Sequence, residues 1–169
     1  MATNPTIPIN RTQTGVRMDR RLVLVLDELA RGNLGLLMED IVLHAFDGAN
    51  AFSPKTLATI IEIKHKHGMD FDFPDRGEGQ AHATGKNEKP VAPDRVQAGF
   101  RLETRLLKTL KALAEREDMG LGELLEEIAY HQLVGAKPFT RKTLAAIALL
   151  KQVYDVTYDV HDTGNFIER

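Results

Sequence analysis

The spacing Gln-x-Gly-x-Arg occurs twice, at Gln13, Gly15 and Arg17 and again at Gln97, Gly99 and Arg101. An amide offers donors and an acceptor, and a guanidinium offers a rigid fork of donors. These groups suit directional recognition, not bond-making. Apolar residues alternate with them, Val16 and Met18 in the first copy and Phe100 and Leu102 in the second. Period two predicts a short strand with one buried face, and the polar residues share the other.

The residue types of catalysis form no recognisable constellation. There is no phosphate-binding glycine loop with lysine, no G-x-S-x-G and no H-E-x-x-H, so an enzyme is not expected. The glutamates read as helix-surface residues. The histidines are the residues that could ligate a metal. His44 and His131 fall at equivalent positions, but one His per copy is too few donors for a site. His65 and His67 form H-x-H, which Gln152 and Tyr154 replace in the second copy. Neither a metal nor a cofactor is expected.

The two motifs belong to a longer duplication. QTGVRMDRRLVLVLDELA (13–30) and QAGFRLETRLLKTLKALA (97–114) share eight of 18 positions. Residues 39–72 and 126–159 share 13 of 34, and the segment between these blocks is three residues longer in the second copy. Two copies of this length suggest a pair that packs face to face, not a solenoid. Residues 1–12 read as a flexible N-terminal arm, 13–73 as the first unit, 74–95 as a flexible linker and 96–169 as the second unit. The stretch 74–93 has three Pro, three Gly and one large aliphatic, Val91. A coil of this length spans roughly 25 Å, ample for the copies to meet.

Each strand must be held by the helices after it. Leu22, Val23, Leu26, Leu29 and Ala30 recur at helical spacing, as do Leu106, Leu107, Leu110, Leu113 and Ala114. LVLVL (22–26) alone is compatible with a strand, but its counterpart LLKTL is clearly helical and decides for both. Asp19 and Glu103 stand where acids favour a helix start. A glycine-bearing turn precedes a second helix, over about 36–47 and 121–134, which Gly48 and Gly135 end. Ser53 and Thr140 cap a third helix, with Pro54 in the first position and Phe52/Leu57 and Phe139/Leu144 spaced for a hydrophobic staple. The identical Lys-Thr-Leu-Ala runs at 55–58 and 142–145 read as preserved packing of that helix, or as contact with another chain. A lone short strand needs a partner, and the strand of the other copy is the evident one.

The chain has 169 residues, 43% hydrophobic, with a net charge of −2 and no cysteine. Disulfides and thiolate metal sites are excluded, and a reducing cytoplasm is the expected location. No run approaches the ~20 apolar residues of a membrane span, and the start lacks the pattern of a signal peptide. The total charge argues against a protein coated in nucleic acid, but the placement of charge is uneven. Residues 1–26 carry Arg11, Arg17, Arg20 and Arg21 against Asp19, and residues 95–111 carry five basic groups against Glu103.

Strand, helix, turn and helix, with a strand that needs a partner, resembles the ribbon-helix-helix family of DNA-binding proteins, the Arc, MetJ and CopG type. GVRMDRRLVLVLDELARGN and GFRLETRLLKTLKALAEREDMGLGELLEEIAYHQL carry the resemblance, about 35 residues of each copy. The third helix and the tail fall outside it. The resemblance implies a mainly α fold with a short two-stranded antiparallel ribbon, both halves on one chain as an intramolecular pseudo-dimer. It implies double-stranded DNA as partner, with the ribbon in the major groove and Gln13, Gly15, Arg17, Gln97, Gly99 and Arg101 facing the bases. Arg can bind guanine and Gln adenine through paired hydrogen bonds. The glycines would let the backbone approach the bases. The family also sets the start of the second helix against a phosphate, here the backbone near Gly35, Gly120 and Gly122. The charges of Arg20, Arg21, Arg105 and Lys108 read as phosphate contacts or as a solvated helix face, and Arg11 as part of an arm that reaches flanking DNA or of a frayed terminus.

The implied function is sequence-specific DNA binding, as a transcriptional repressor or an accessory factor at a plasmid or phage site. Another copy of the chain on adjacent half-sites would be a further partner. The competing reading is a protein-interaction module, an antitoxin or adaptor, working through the third helices.

Overall fold

The computed structural model describes residues 7–73 and 94–168. The expected linker, apart from Asp94 and Arg95, lies outside the described residues. Among those described, the chain is mainly helical, with six α-helices and a two-stranded antiparallel sheet.

Strand β2 (Arg11–Asp19) runs directly into α1 (Arg20–Ala30), followed by α2 (Leu34–Phe46) and α3 (Pro54–Lys66). The same order returns as β3 (Arg95–Glu103), α4 (Thr104–Arg116), α5 (Leu121–Leu133) and α6 (Arg141–Val153). The strands alternate buried and exposed residues, as the period-two pattern predicts. Each becomes a helix at an acid. Asp19 accepts the Arg21 N–H, and Glu103 accepts those of Arg105 and Leu106, which satisfies donors that a helix start leaves unpaired. Asn33, Ser53 and Thr140 cap α2, α3 and α6 in the same way. Gly48 and Gly135 follow α2 and α5 at φ 69° and 73°, the left-handed region that favours glycine. The LVLVL run is helical, in agreement with its counterpart. The three extra residues of the second copy go into a longer α4 and a longer turn before α5.

β2 and β3 pair antiparallel over their whole length, with Gly15 opposite Gly99 at the centre. The strands exchange partners with the helices as well. α2 packs under β3 and α5 under β2, while α2 and α5 pack on each other in the middle. Met38, Ile41, Val42 and Ala45 from α2, with Leu124, Leu125, Ile128 and Ala129 from α5, form one core beneath the ribbon. α3 lies on α1 and α6 on α4.

Two boundaries differ from expectation. Of the expected arm, residues 1–6 lie outside the described residues, and residues 7–12 are not free: β1 (Ile7–Ile9) pairs in parallel with β4 (Phe166–Glu168), Ile9 is fully buried, and Arg11 and Thr12 already belong to β2. The bonds that order this stretch come from β4, at the far end of the chain, and from Thr104, whose N–H donates to the Asn10 carbonyl. A short 3-10 helix, Val160–Asn165, leads into β4. The second strand begins at Arg95, inside the expected linker.

Candidate nucleic-acid interface

One face of the ribbon is covered by helices and the other is exposed. Thr14, Val16, Met18, Ala98, Phe100 and Leu102 point into the core, and Gln13, Gly15, Arg17, Gln97, Gly99 and Arg101 point outward. The inward set contains the four apolar residues predicted and adds Thr14 and Ala98. The register places Gln13 opposite Arg101 and Arg17 opposite Gln97, on either side of the glycine pair. All six candidate readers therefore share one surface.

The outer side chains have definite directions. The Arg17 Nη2 donates to the Arg95 carbonyl at 3.1 Å, and the Arg101 Nη2 donates to the Arg11 carbonyl at 3.3 Å. Both guanidinia thus reach toward the ends of the ribbon. Both glutamine amides lie toward its centre. A Cβ on Gly15 would sit 2.5 Å from Gln97 Nε2, and one on Gly99 would sit 3.1 Å from Gln13 Nε2.

The helices press directly on the strand backbone behind the arginines. A Cβ on Gly35 would come within 2.5 Å of the Arg101 carbonyl oxygen, and one on Gly122 within 2.5 Å of that of Arg17. Side chains there would separate helix from strand. A groove of about 550 Å³ runs beside β3, with Arg11, Asn33, Gly35, Gln97, Gly99 and Arg101 among its lining.

Each end of the ribbon is fastened by two buried carboxylates. At one, Glu126 accepts the Asp19 N–H at 2.7 Å and the Arg95 guanidinium at 3.1 Å. Asp19 there binds Arg21 and the Tyr130 hydroxyl. At the other, Glu39 accepts the Glu103 N–H at 3.2 Å and holds Arg11 at 2.9 Å. Glu103 pairs with Arg105 and accepts from the Tyr158 hydroxyl at 2.6 Å. Burial, and then the Glu103 carboxylate, hold the Tyr158 phenol well above its ordinary pKa, so it stays a neutral donor.

These ties occupy several of the expected phosphate contacts. Arg11, Arg21 and Arg105 are engaged inside the protein, with Arg21 also over the Phe71 ring and Arg105 over Tyr158. Arg20 and Lys108 are exposed. Gly35 is buried and Gly122 half-buried, both as packing glycines, whereas Gly120 is an exposed cap of α5. The anchoring residues Arg95, Glu39, Glu126, Tyr130 and Tyr158 do not stand out as functional in the sequence. A signal exists, since Arg11 and Arg95 extend the shared motif to Arg-x-Gln-x-Gly-x-Arg, and Glu39 and Glu126 open the second repeated block.

His44 and His131 each approach a backbone carbonyl of their own helix through Nδ1, of Asp40 at 2.8 Å and of Glu127 at 2.7 Å. Among the described residues no helix is long and apolar enough to cross a membrane. No protein-family model, curated protein or solved structure matches this chain.

Proposed function

We propose that this protein binds double-stranded DNA sequence-specifically, as a ribbon-helix-helix reader whose two halves are one chain folded into an intramolecular pseudo-dimer. One observation carries the reading. The strand register gathers Gln13, Arg17, Gln97 and Arg101 on the uncovered face of a two-stranded ribbon, symmetrically about Gly15 and Gly99. Arg and Gln are the side chains that pair with guanine and adenine edges, and a two-stranded ribbon fits the major groove. The exposed Arg20 and Lys108 supply charge for the backbone. Arg11, Arg21 and Arg105 act instead through the shape of the ribbon. Such a protein would work as a repressor that occupies an operator, or as an accessory factor that marks a DNA site.

The test is duplex binding by the full chain across a salt series, with an Arg17→Ala/Arg101→Ala variant. The wild type is expected to enrich a roughly palindromic site from a randomised library. The variant is expected to bind that site much more weakly and to flatten the slope of log affinity against log salt by up to about 2, if both guanidinia also displace counterions. Absence of enrichment would sink the reading.

A second reading has its own observation. On α6, Leu149 and Val153 are 64% and 71% exposed, at positions where α3 carries Glu62 and Lys66. This apolar strip supports a protein partner at the third helix of the second unit, as an adaptor would need. Affinity capture with wild type and a Leu149→Glu/Val153→Lys variant distinguishes it, since only a partner at that strip is lost from the variant.

A further inference from the structure

The two kinds of polar side chain on the ribbon divide its length between them. Gln13 and Gln97 stand diagonally across from Gly99 and Gly15, and their amide nitrogens occupy the space where those glycines lack a Cβ. Arg17 and Arg101 lean the other way, onto the carbonyls of Arg95 and Arg11. Those carbonyls belong to the outermost rows of the ribbon, where Arg95 faces Asp19 and Arg11 faces Glu103. The side chains of the same two residues are anchored in turn. Arg95 is tied to Glu126, and Arg11 to Glu39.

We infer that the glycine pair seats the two glutamine amides, so that the ligand is a DNA duplex read for adenine at its centre and for guanine at its flanks. This rests on the DNA-binding reading and gives it a spatial order. From the central row to an outermost row is four residues, roughly 13 Å along a strand at ~3.3 Å each. That is roughly four base-pair steps at ~3.4 Å. Adenines are therefore preferred within about two steps of the dyad and guanines about four steps out. The glycines do not open the backbone to the bases, because the amides of the opposite strand lie over them. Their role is to leave room for a side chain, and each glycine thereby determines specificity through a neighbour.

The experiment is selection from a randomised duplex library by the full-length chain and three double variants. These are Gly15→Ala/Gly99→Ala, Gln13→Ala/Gln97→Ala and Arg17→Ala/Arg101→Ala. The added methyl groups meet only the ends of flexible side chains and a more distant backbone oxygen, so the ribbon should form, and circular dichroism checks this. The glutamine variant tests the same point if the glycine variant is unstable. Wild type is expected to select A·T pairs at the centre with G·C pairs outside them. The glycine and glutamine variants are expected to lose at least five-fold of the central preference and keep the flanking one, and the arginine variant the reverse. The order is overturned if the arginine variant alters the centre, or if neither of the other two does. A wild type that selects no sequence at all overturns the DNA reading itself, a result distinct from a motif in the wrong order.

Discussion

Asp19 is fully buried, yet it caps α1, binds Arg21 through both carboxylate oxygens and accepts from Tyr130. Burial alone would raise its pKa, but the hydrogen bonds and charge of Arg21 outweigh that and hold the carboxyl below its ordinary value of 3.8. A depressed carboxyl contributes stability that is present above its unfolded pKa and disappears as pH falls through the folded one. Asp19→Asn is therefore expected to lower stability near neutrality and to reduce the loss of stability below about pH 4, read by urea melts at several pH values. Wild type and variant melts that stay parallel down to pH 2 would contradict this. Glu126 is buried and accepts both a backbone N–H and Arg95. Its removal leaves the buried Asp19 N–H unpaired and frees the partly exposed Arg95, so Glu126→Ala is expected to cost about 2–3 kcal/mol. A cost below about 1 kcal/mol would mean that water replaces the carboxylate.

At the scale of elements, the second helix of each unit meets the strand of the other at a glycine. Gly122 lies against the Arg17 backbone, where a Cβ at 2.5 Å has no flexible atom to displace. Gly122→Ala is expected to push α5 from β2 and destabilise by about 1–3 kcal/mol, the usual range for overpacking. Gly120→Ala, with only the Glu123 side chain nearby, serves as the control and should be mild. Equal effects would show that helix-start conformation matters more than the close approach. The third helices interlock similarly. Leu57 packs by Gly135, and Leu144 by Gly48, so the repeated Lys-Thr-Leu-Ala run does packing work across the two units.

At the scale of the molecule, neither unit holds a complete core. β2 pairs with β3, α2 supports β3, α5 supports β2, and Gln132 bonds to the backbone of Ala49 and Ala51 across the interface. Urea unfolding of the chain is expected to be one transition, coincident by circular dichroism and tyrosine fluorescence, with a midpoint independent of protein concentration. Two separated transitions would show that the units fold alone.

Much was legible along the chain because its signals are local. Alternation of Gln, Gly and Arg with Val, Met, Phe and Leu set the two faces of each strand, since strand side chains alternate by geometry. Helical spacing, caps at Ser53 and Thr140 and the glycines after α2 and α5 act within a turn or two. The duplication pointed to a strand pair. Tertiary structure alone decided the rest. Which arginines face outward depends on carboxylates that are distant in sequence. Arg11 and Arg17 look alike along the chain, but Glu39 claims one and leaves the other on the exposed face. The pairing of β1 with β4 joins opposite ends of the chain, and no local pattern encodes it. The direction of Gln97 over Gly15 follows from the register, which a single strand does not possess.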